Sequence, residues 1–225
     1  MTRRVLLSWS SGKDSAWALH QLRREDDVTV VGLLTTFNES ADRVAMHGVR
    51  RDLVEAQAAA AHLPVWSVLL PQPCSNAEYE ERMAAAVARG VGEGVTHIAF
   101  GDLFLADIRA YRERQLRGSG LEPLFPLWDA GRDTAKLART MIAAGLRAVL
   151  TCVDPKQLPE SFAGRTFDDG LLATLPPGVD PCGERGEFHT FCFAAPMFAS
   201  PIAIEVGARS TRDGFCFADV RTATS

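Results

Sequence analysis

Four apolar runs of β-forming residues alternate with stretches whose apolar residues recur at helical spacing, and this alternation limits the possible folds more than any other feature. Val5-Leu6-Leu7-Ser8-Trp9, Val28-Thr29-Val30-Val31-Gly32-Leu33-Leu34, Val65-Trp66-Ser67-Val68-Leu69 and His97-Ile98-Ala99-Phe100 read as strands. Between them, Ala16, Leu19 and Leu22, then Val49, Leu53, Ala56 and Ala60, then Tyr79, Met83 and Val87 form helical stripes. Pro64 closes the second helix and Gly90 the third. Strand after strand with a helix between is the order of crossover connections, so the first half is expected to be an α/β, doubly wound parallel sheet.

The texture changes beyond residue 118. A charged helix from Ala106 to Arg117, with Arg109, Arg112, Glu113 and Arg114, runs into Gly118-Ser119-Gly120 and then Pro123 and Pro126. The domain boundary is expected there, giving a sheet domain over 1–118 and a smaller α+β domain over 119–225. In the second, Ala138, Met141 and Ile142 fit one more helix and Ala148 to Val153 a strand. Asp168-Asp169-Gly170 reads as a turn or helix start. Phe191-Cys192-Phe193, Pro201 to Val206 and Phe215 to Val220 suggest β-hairpins, with a turn at Arg212-Asp213-Gly214.

Composition excludes several classes. With 225 residues and 47% hydrophobic content the chain is expected to be globular, and no apolar stretch reaches the ~20 residues needed to span a bilayer. A soluble, cytoplasmic protein is expected. The net charge of −4 argues against a partner as long and anionic as extended nucleic acid. Five scattered cysteines without a Cys-x-x-Cys fit buried thiols rather than a disulfide frame, a zinc knuckle or a redox pair.

The first strand leads through Ser10-Ser11-Gly12-Lys13-Asp14-Ser15 straight into a helix. Small residues between a strand and a helix start gather free N–H groups and the positive end of a helix dipole, which suits an anion, and Lys13 adds a mobile cation. The chain has only three lysines against many arginines, so a lysine at 13 stands out. The spacing is not that of the common phosphate loop, because Asp14 follows the lysine where a hydroxyl would hold magnesium. Thr35 lies at the carboxyl end of the second strand, where open α/β sheets bind ligands, and His47 precedes the second helix on the same side. The second dense cluster is Asp180-Pro181-Cys182-Gly183-Glu184-Arg185-Gly186-Glu187-Phe188-His189-Thr190. Its turn is expected to aim Glu184 and Glu187 at one point, to bind magnesium, steer an amine or take a proton.

The Ser-x-Gly-x-Asp-Ser order resembles the pyrophosphate-binding loop of the PP-loop ATP pyrophosphatases, or adenine nucleotide α-hydrolases. With Gly101-Asp102-Leu103, Leu121 to Trp128 and Cys182 to Phe191, nearly the whole chain resembles the diphthine–ammonia ligase family, in its bacterial branch. That resemblance implies a Rossmann-like ATP-binding domain and an AMP-forming ligase, which adenylylates a carboxylate or similar oxygen and amidates it with ammonia or an amine. ATP and magnesium are the implied cofactors. Ser10, Ser11, Gly12, Lys13, Asp14 and Ser15 would hold ATP, with Asp14 toward the magnesium, and Gly101 and Asp102 would line the cleft. Lys13, Glu184, Glu187 and His189 would serve catalysis. Ser11 stands where many members carry a second glycine, a cost of roughly 1 kcal/mol if its φ is positive. Diphthine ligases usually continue Glu-Gly-Gly-Glu-Tyr-Glu-Thr, whereas this chain has Arg185, Phe188 and His189. The partner that the resemblance implies is therefore a carboxylate on a small molecule or a modified protein, together with ammonia, and a homodimer is allowed. A tRNA-modifying enzyme of the same superfamily and a non-catalytic nucleotide sensor are the alternatives.

Overall fold

The computed structural model describes residues 2–129 and 131–223. Met1, Ala130, Thr224 and Ser225, which fall inside the two expected domains, lie outside the described residues.

The first sheet is built from β1 (Arg3–Ser8), α1 (Lys13–Leu22), β2 (Val28–Asn38), β3 (Arg43–Val44), α2 (Arg51–Ala61), β4 (Val65–Leu70), α3 (Asn76–Gly92), β5 (His97–Ala99), α4 (Ala106–Leu116) and β6 (Glu122–Leu124). Its parallel strands run in the order β4-β2-β1-β5-β6, and short β3 adds antiparallel to the end of β2 beside the tip of β1. Alternation along β1 explains why both faces need cover. Val5, Leu7 and Trp9 enter one core with α1 and α2, and Leu6 enters the other with Trp66, Val87, Ile98 and Leu116. The chain turns back at β1/β5, so the β1–α1 loop lies where the strand order reverses, at the carboxyl edge where such sheets bind ligands.

Because β6 pairs with β5, the change of sheet comes after Leu124 rather than at residue 118. The Gly118-Ser119-Gly120 stretch is the connection from α4 to a last parallel strand, not a linker.

The remainder comprises α5 (Thr134–Ala143), β7 (Arg147–Val153), β8 (Thr166–Phe167), α6 (Asp169–Thr174), β9 (Phe188–Ala194), β10 (Ile204–Arg212) and β11 (Phe215–Thr222). Its sheet is antiparallel throughout, with β7 between β9 on one edge and β11 and β8 on the other. One expected hairpin is present: β10 and β11 are joined by Asp213-Gly214, both at positive φ (52° and 81°), the conformation that favours Asp-Gly in a two-residue turn. Phe191 and its neighbours instead pair with β7 as β9. Asp168 caps α6, its Oδ1 accepting from Leu171 N at 2.7 Å. The larger core runs unbroken from β1 and α1 to β7, β9 and β11, so one apolar interior holds the two sheets together.

Candidate active site

The chain leaves β1 at Ser8, and α1 begins five residues later behind Gly12, which has no side chain to cap it. In between, Ser11 has φ +69°. That left-handed turn is held from both sides, because Ser11 O accepts from Cys192 N and from Gln57 Nε2, each at 2.9 Å. Gln57 is fully buried on α2 and also donates to Cys192 O, while its Oε1 accepts from Trp9 Nε1 at 2.8 Å. One glutamine in an otherwise apolar helix stripe thus ties β1, the loop and β9 together. Its lone polarity among Leu53, Val54, Ala58 and Ala61 was the available signal.

Two results follow for the loop. Ser11→Gly is expected to raise stability by about 0.5–1 kcal/mol, since it relieves the positive φ and removes a buried hydroxyl that has no partner. That is a Tm rise of a few degrees at most for a domain of this size, and an unchanged or lower Tm would refute it. Gln57→Leu is expected to cost about 2–4 kcal/mol in urea unfolding, because Trp9 Nε1 is left buried without an acceptor and Cys192 O loses its side-chain donor. A loss under about 0.5 kcal/mol would be the level of a surface change and would deny the loop this clamp.

The loop faces a cavity of about 250 Å³ walled by both domains. Ser10, Gly12, Lys13, Asp14, Ser15, His47, Gly101, Asp102, Glu184 and His189 all line it, so ten of the expected site residues converge. Gly101 has a packing reason as well: a Cβ there would lie 3.0 Å from the Asp14 carbonyl carbon, so a larger residue would push the end of β5 and the start of α1 apart by a few tenths of an ångström. Ser8 and Phe100 line the cavity too, as do Arg112 of the charged helix and Phe188 and Thr190 of the second cluster. Thr190 matters to the loop directly, since its Oγ1 accepts from Lys13 N at 3.0 Å.

Three expected residues stand elsewhere. Glu187 is buried and faces its own turn, where Oε1 accepts from Asp180 N at 2.8 Å and Oε2 from Arg185 N at 3.0 Å. The turn therefore sends its two carboxylates apart, with Glu187 fastening the loop and only Glu184 reaching the cavity. Ser11 and Thr35 are buried behind the cavity wall, and neither hydroxyl has a hydrogen-bond partner. Lys13, expected to be mobile, is fixed: its side chain is 2% exposed, and Nζ donates to Asp14 Oδ2 at 2.7 Å and to Cys182 O. It also lies 5.5 Å from the ring centres of Phe167 and Phe188. Of the cysteines expected to be buried, Cys74 is exposed and the other four are buried.

Electrostatics divide the cavity. Burial opposes the charge on Lys13, but the Asp14 carboxylate outweighs it and holds the ammonium above its ordinary range. Burial raises Asp14 and Asp102 despite the cations beside them. Glu184 is pushed up to about 7 by burial, with the Asp14 charge adding to the effect, although its Oε1 accepts from Leu103 N at 2.7 Å. On the opposite wall His47 and His189 stack with ring centres 4.3 Å apart. Burial and the nearby Lys13 charge push His189 down to about 4 and keep His47 well below its usual value, so both rings are neutral at pH 7. Asp14 Oδ1 and His47 Nδ1 are buried without a hydrogen-bond partner, and Asp102 Oδ2 and Arg112 Nε have none either but pair with each other as ions at 3.7 Å.

A PP-loop, Rossmann-like domain with a small α+β domain closing over its anion loop is the class that this fold and site define. Residues 3–123 match the model of the diphthamide synthase N-terminal domain and residues 133–224 that of its C-terminal domain, and the chain belongs to that family. The mouse diphthine–ammonia ligase is 24% identical over 96% of this chain and 88% of its own length. The rat and human proteins of the same name are 30% and 33% identical over 52% and 50% of the chain. The chain spans less than half the length of those two relatives, 45% and 43%.

Proposed function

We propose that the chain is an ATP-dependent, AMP-forming ligase that adenylylates a carboxylate and passes the acyl group to ammonia or a small amine. One observation carries this reading: an anion loop on the first domain and a carboxylate that titrates near neutrality on the second face each other across one cavity. Thr190 takes the Lys13 N–H, which leaves the Asp14 and Ser15 N–H groups at the start of α1 for the β- and γ-phosphate oxygens, and the Lys13 ammonium behind them counters the charge that develops on pyrophosphate as it leaves. With the diphosphate end in the loop, the α-phosphorus is the one open to attack. Neutral His189 and His47 can accept or donate hydrogen bonds without repelling a cationic amine. Glu184 takes a proton from ammonium, since its affinity for protons is matched to pH 7.

Magnesium, when bound, would neutralise phosphate charge. Among the described residues no group of three or more His, Cys, Asp or Glu can hold a metal alone. Asp14 Oδ1, buried and unpartnered, is the donor that suits an ion bound mainly by water and phosphate oxygens. The relatives' shared name, diphthine–ammonia ligase, supports ammonia as the nitrogen source. The test is product analysis: with ATP, magnesium, ammonium and an acid substrate, AMP and pyrophosphate should accumulate in equal amounts. Formation of ADP and orthophosphate would overturn the reading.

A further inference from the structure

A second cavity, of about 300 Å³, adjoins the first across the His47–His189 pair. Its walls come from both domains. Asn38, Val44, Ala45, Met46, Gly48 and Leu70 to Gln72 belong to the carboxyl ends of β2 and β4 and the loop around β3, while Cys152, His189, Arg212, Phe215 and Phe217 belong to the second sheet. His189 lines both cavities. Cavities of this size between domains, apolar with a few polar groups, are typical of small-molecule sites.

We infer that this cavity receives the acceptor as a small monocarboxylic acid with an apolar body, its carboxylate toward His189 and its body against Val44, Met46, Phe215 and Phe217. The inference rests on the ligase reading and adds the class of acid. Three observations support it. The lining is mainly apolar, interrupted by Asn38, Arg43, Gln72, His189, Arg212 and Asp213, and the exposed cation Arg212, 4.1 Å over Phe217, has no hydrogen bond or ion pair among the described residues. Arg43, the other cation, is already engaged by Gly48 O and Asp219, so Arg212 is the one available to attract an anion. Met46 is 70% exposed at the cavity mouth and sits at φ +64°, an unusual backbone state for a methionine. An apolar side chain held in water at that cost of about 1 kcal/mol has a use if it covers an apolar ligand. The groove between α3 and α4 is the rival location. It is lined by Tyr79, Met83, Val87 and Tyr111, and meets the first cavity at Phe100 and Arg112. Only the first domain supplies it.

Cys74 lines the proposed cavity and is exposed, and the other four cysteines are buried, so its reaction with N-ethylmaleimide reports occupancy. The full chain is incubated with ATP, magnesium and a panel of acids (benzoate, phenylacetate, 4-phenylbutyrate, isovalerate and octanoate), with Cys74→Ser as the labelling control. At least one acid should slow modification of Cys74 by about tenfold when present at ten times its Kd. That acid should also yield AMP, and Arg212→Glu should raise its KM by roughly tenfold or more with kcat retained. Protection without AMP formation keeps the cavity and overturns the ligase reading. No protection by any acid, with or without AMP formation, overturns the inference; so does an acid whose KM responds to Met83→Trp in the rival groove and not to Arg212→Glu.

Discussion

Lys13→Met is expected to cost the fold about 3–5 kcal/mol at pH 8 and to abolish nucleotide binding. The substitution keeps the stem's volume but removes the buried charge from a pair at the domain junction, and an uncompensated carboxylate about three-quarters buried is the expensive product. Cys182 O loses its donor at the same time. The sign of the pH effect follows from Asp14. Burial already raises its pKa and Lys13 opposes that rise, so without Lys13 the folded-state value moves higher still above the unfolded one. The penalty is then small while Asp14 carries a proton and grows as pH rises through its folded value. Urea unfolding at pH 5 and pH 8 should show the smaller loss at pH 5, and an equal loss at both would deny that the pair is the cause. Lys13→Met with Asp14→Asn removes both charges and should recover most of the stability, yet not ATP binding measured by calorimetry. Recovery of binding as well would mean that Lys13 serves only the fold.

The sequence made the first sheet legible because its strands are continuous apolar runs and its helices carry one-sided stripes. Both signals come from burial on a fixed period. β3 and β6 escaped because they are two and three residues long, and Pro123 sits inside the second of them. An edge strand tolerates that proline, but no local pattern separates it from a loop. For the same reason Gly118 and Gly120, which serve a connection, read as a boundary, although the sheet continues to Leu124. In the second sheet the strands were visible but their partners were not: β9 lies beside β7, some forty residues earlier in the chain, and nothing local encodes a pairing at that distance.

Site residues divided along similar lines. Ser10 to Ser15 were readable because an anion loop depends on contiguous residues, and ten of the residues read from spacing or family resemblance meet at one cavity. The orientation of a side chain within a turn is not written in spacing. Glu184 and Glu187 are three apart in a turn with two positive-φ glycines, and the turn sends one to the cavity and the other into its own backbone. Lys13 looked mobile because its anchors, Cys182 O and the Phe167 and Phe188 rings, lie more than 150 residues away. Burial of this kind is a property of the assembled domains.

Glu184→Gln separates Glu184's part in turnover from its part in the fold. Glutamine keeps an oxygen to accept from Leu103 N, so the Cys182–Glu187 turn should hold its shape. It cannot accept the proton of ammonium, and kcat for AMP formation with ammonium should fall by about 10²–10⁴ while ATP affinity changes little. The wild type's kcat should rise with pH to a plateau above about 7 as Glu184 ionises, and the variant should lack that limb. Stability moves the opposite way. With a folded-state pKa above the ordinary 4.5, the native protein holds a proton that the unfolded chain has lost, so Glu184 lowers stability progressively as pH rises from 4.5 through 7. Glutamine removes that dependence, and the variant should become the more stable protein above pH 7. A variant with wild-type turnover, or one that retains the rising limb, would assign the proton to another group. In the cavity as built, the rival bases are Asp14, whose Oδ2 is engaged by Lys13, and Asp102, whose charge is opposed by Arg112. Burial raises both, but each has a cation within 4 Å that opposes the rise, whereas the one hydrogen bond to Glu184 Oε1 comes from the neutral amide of Leu103.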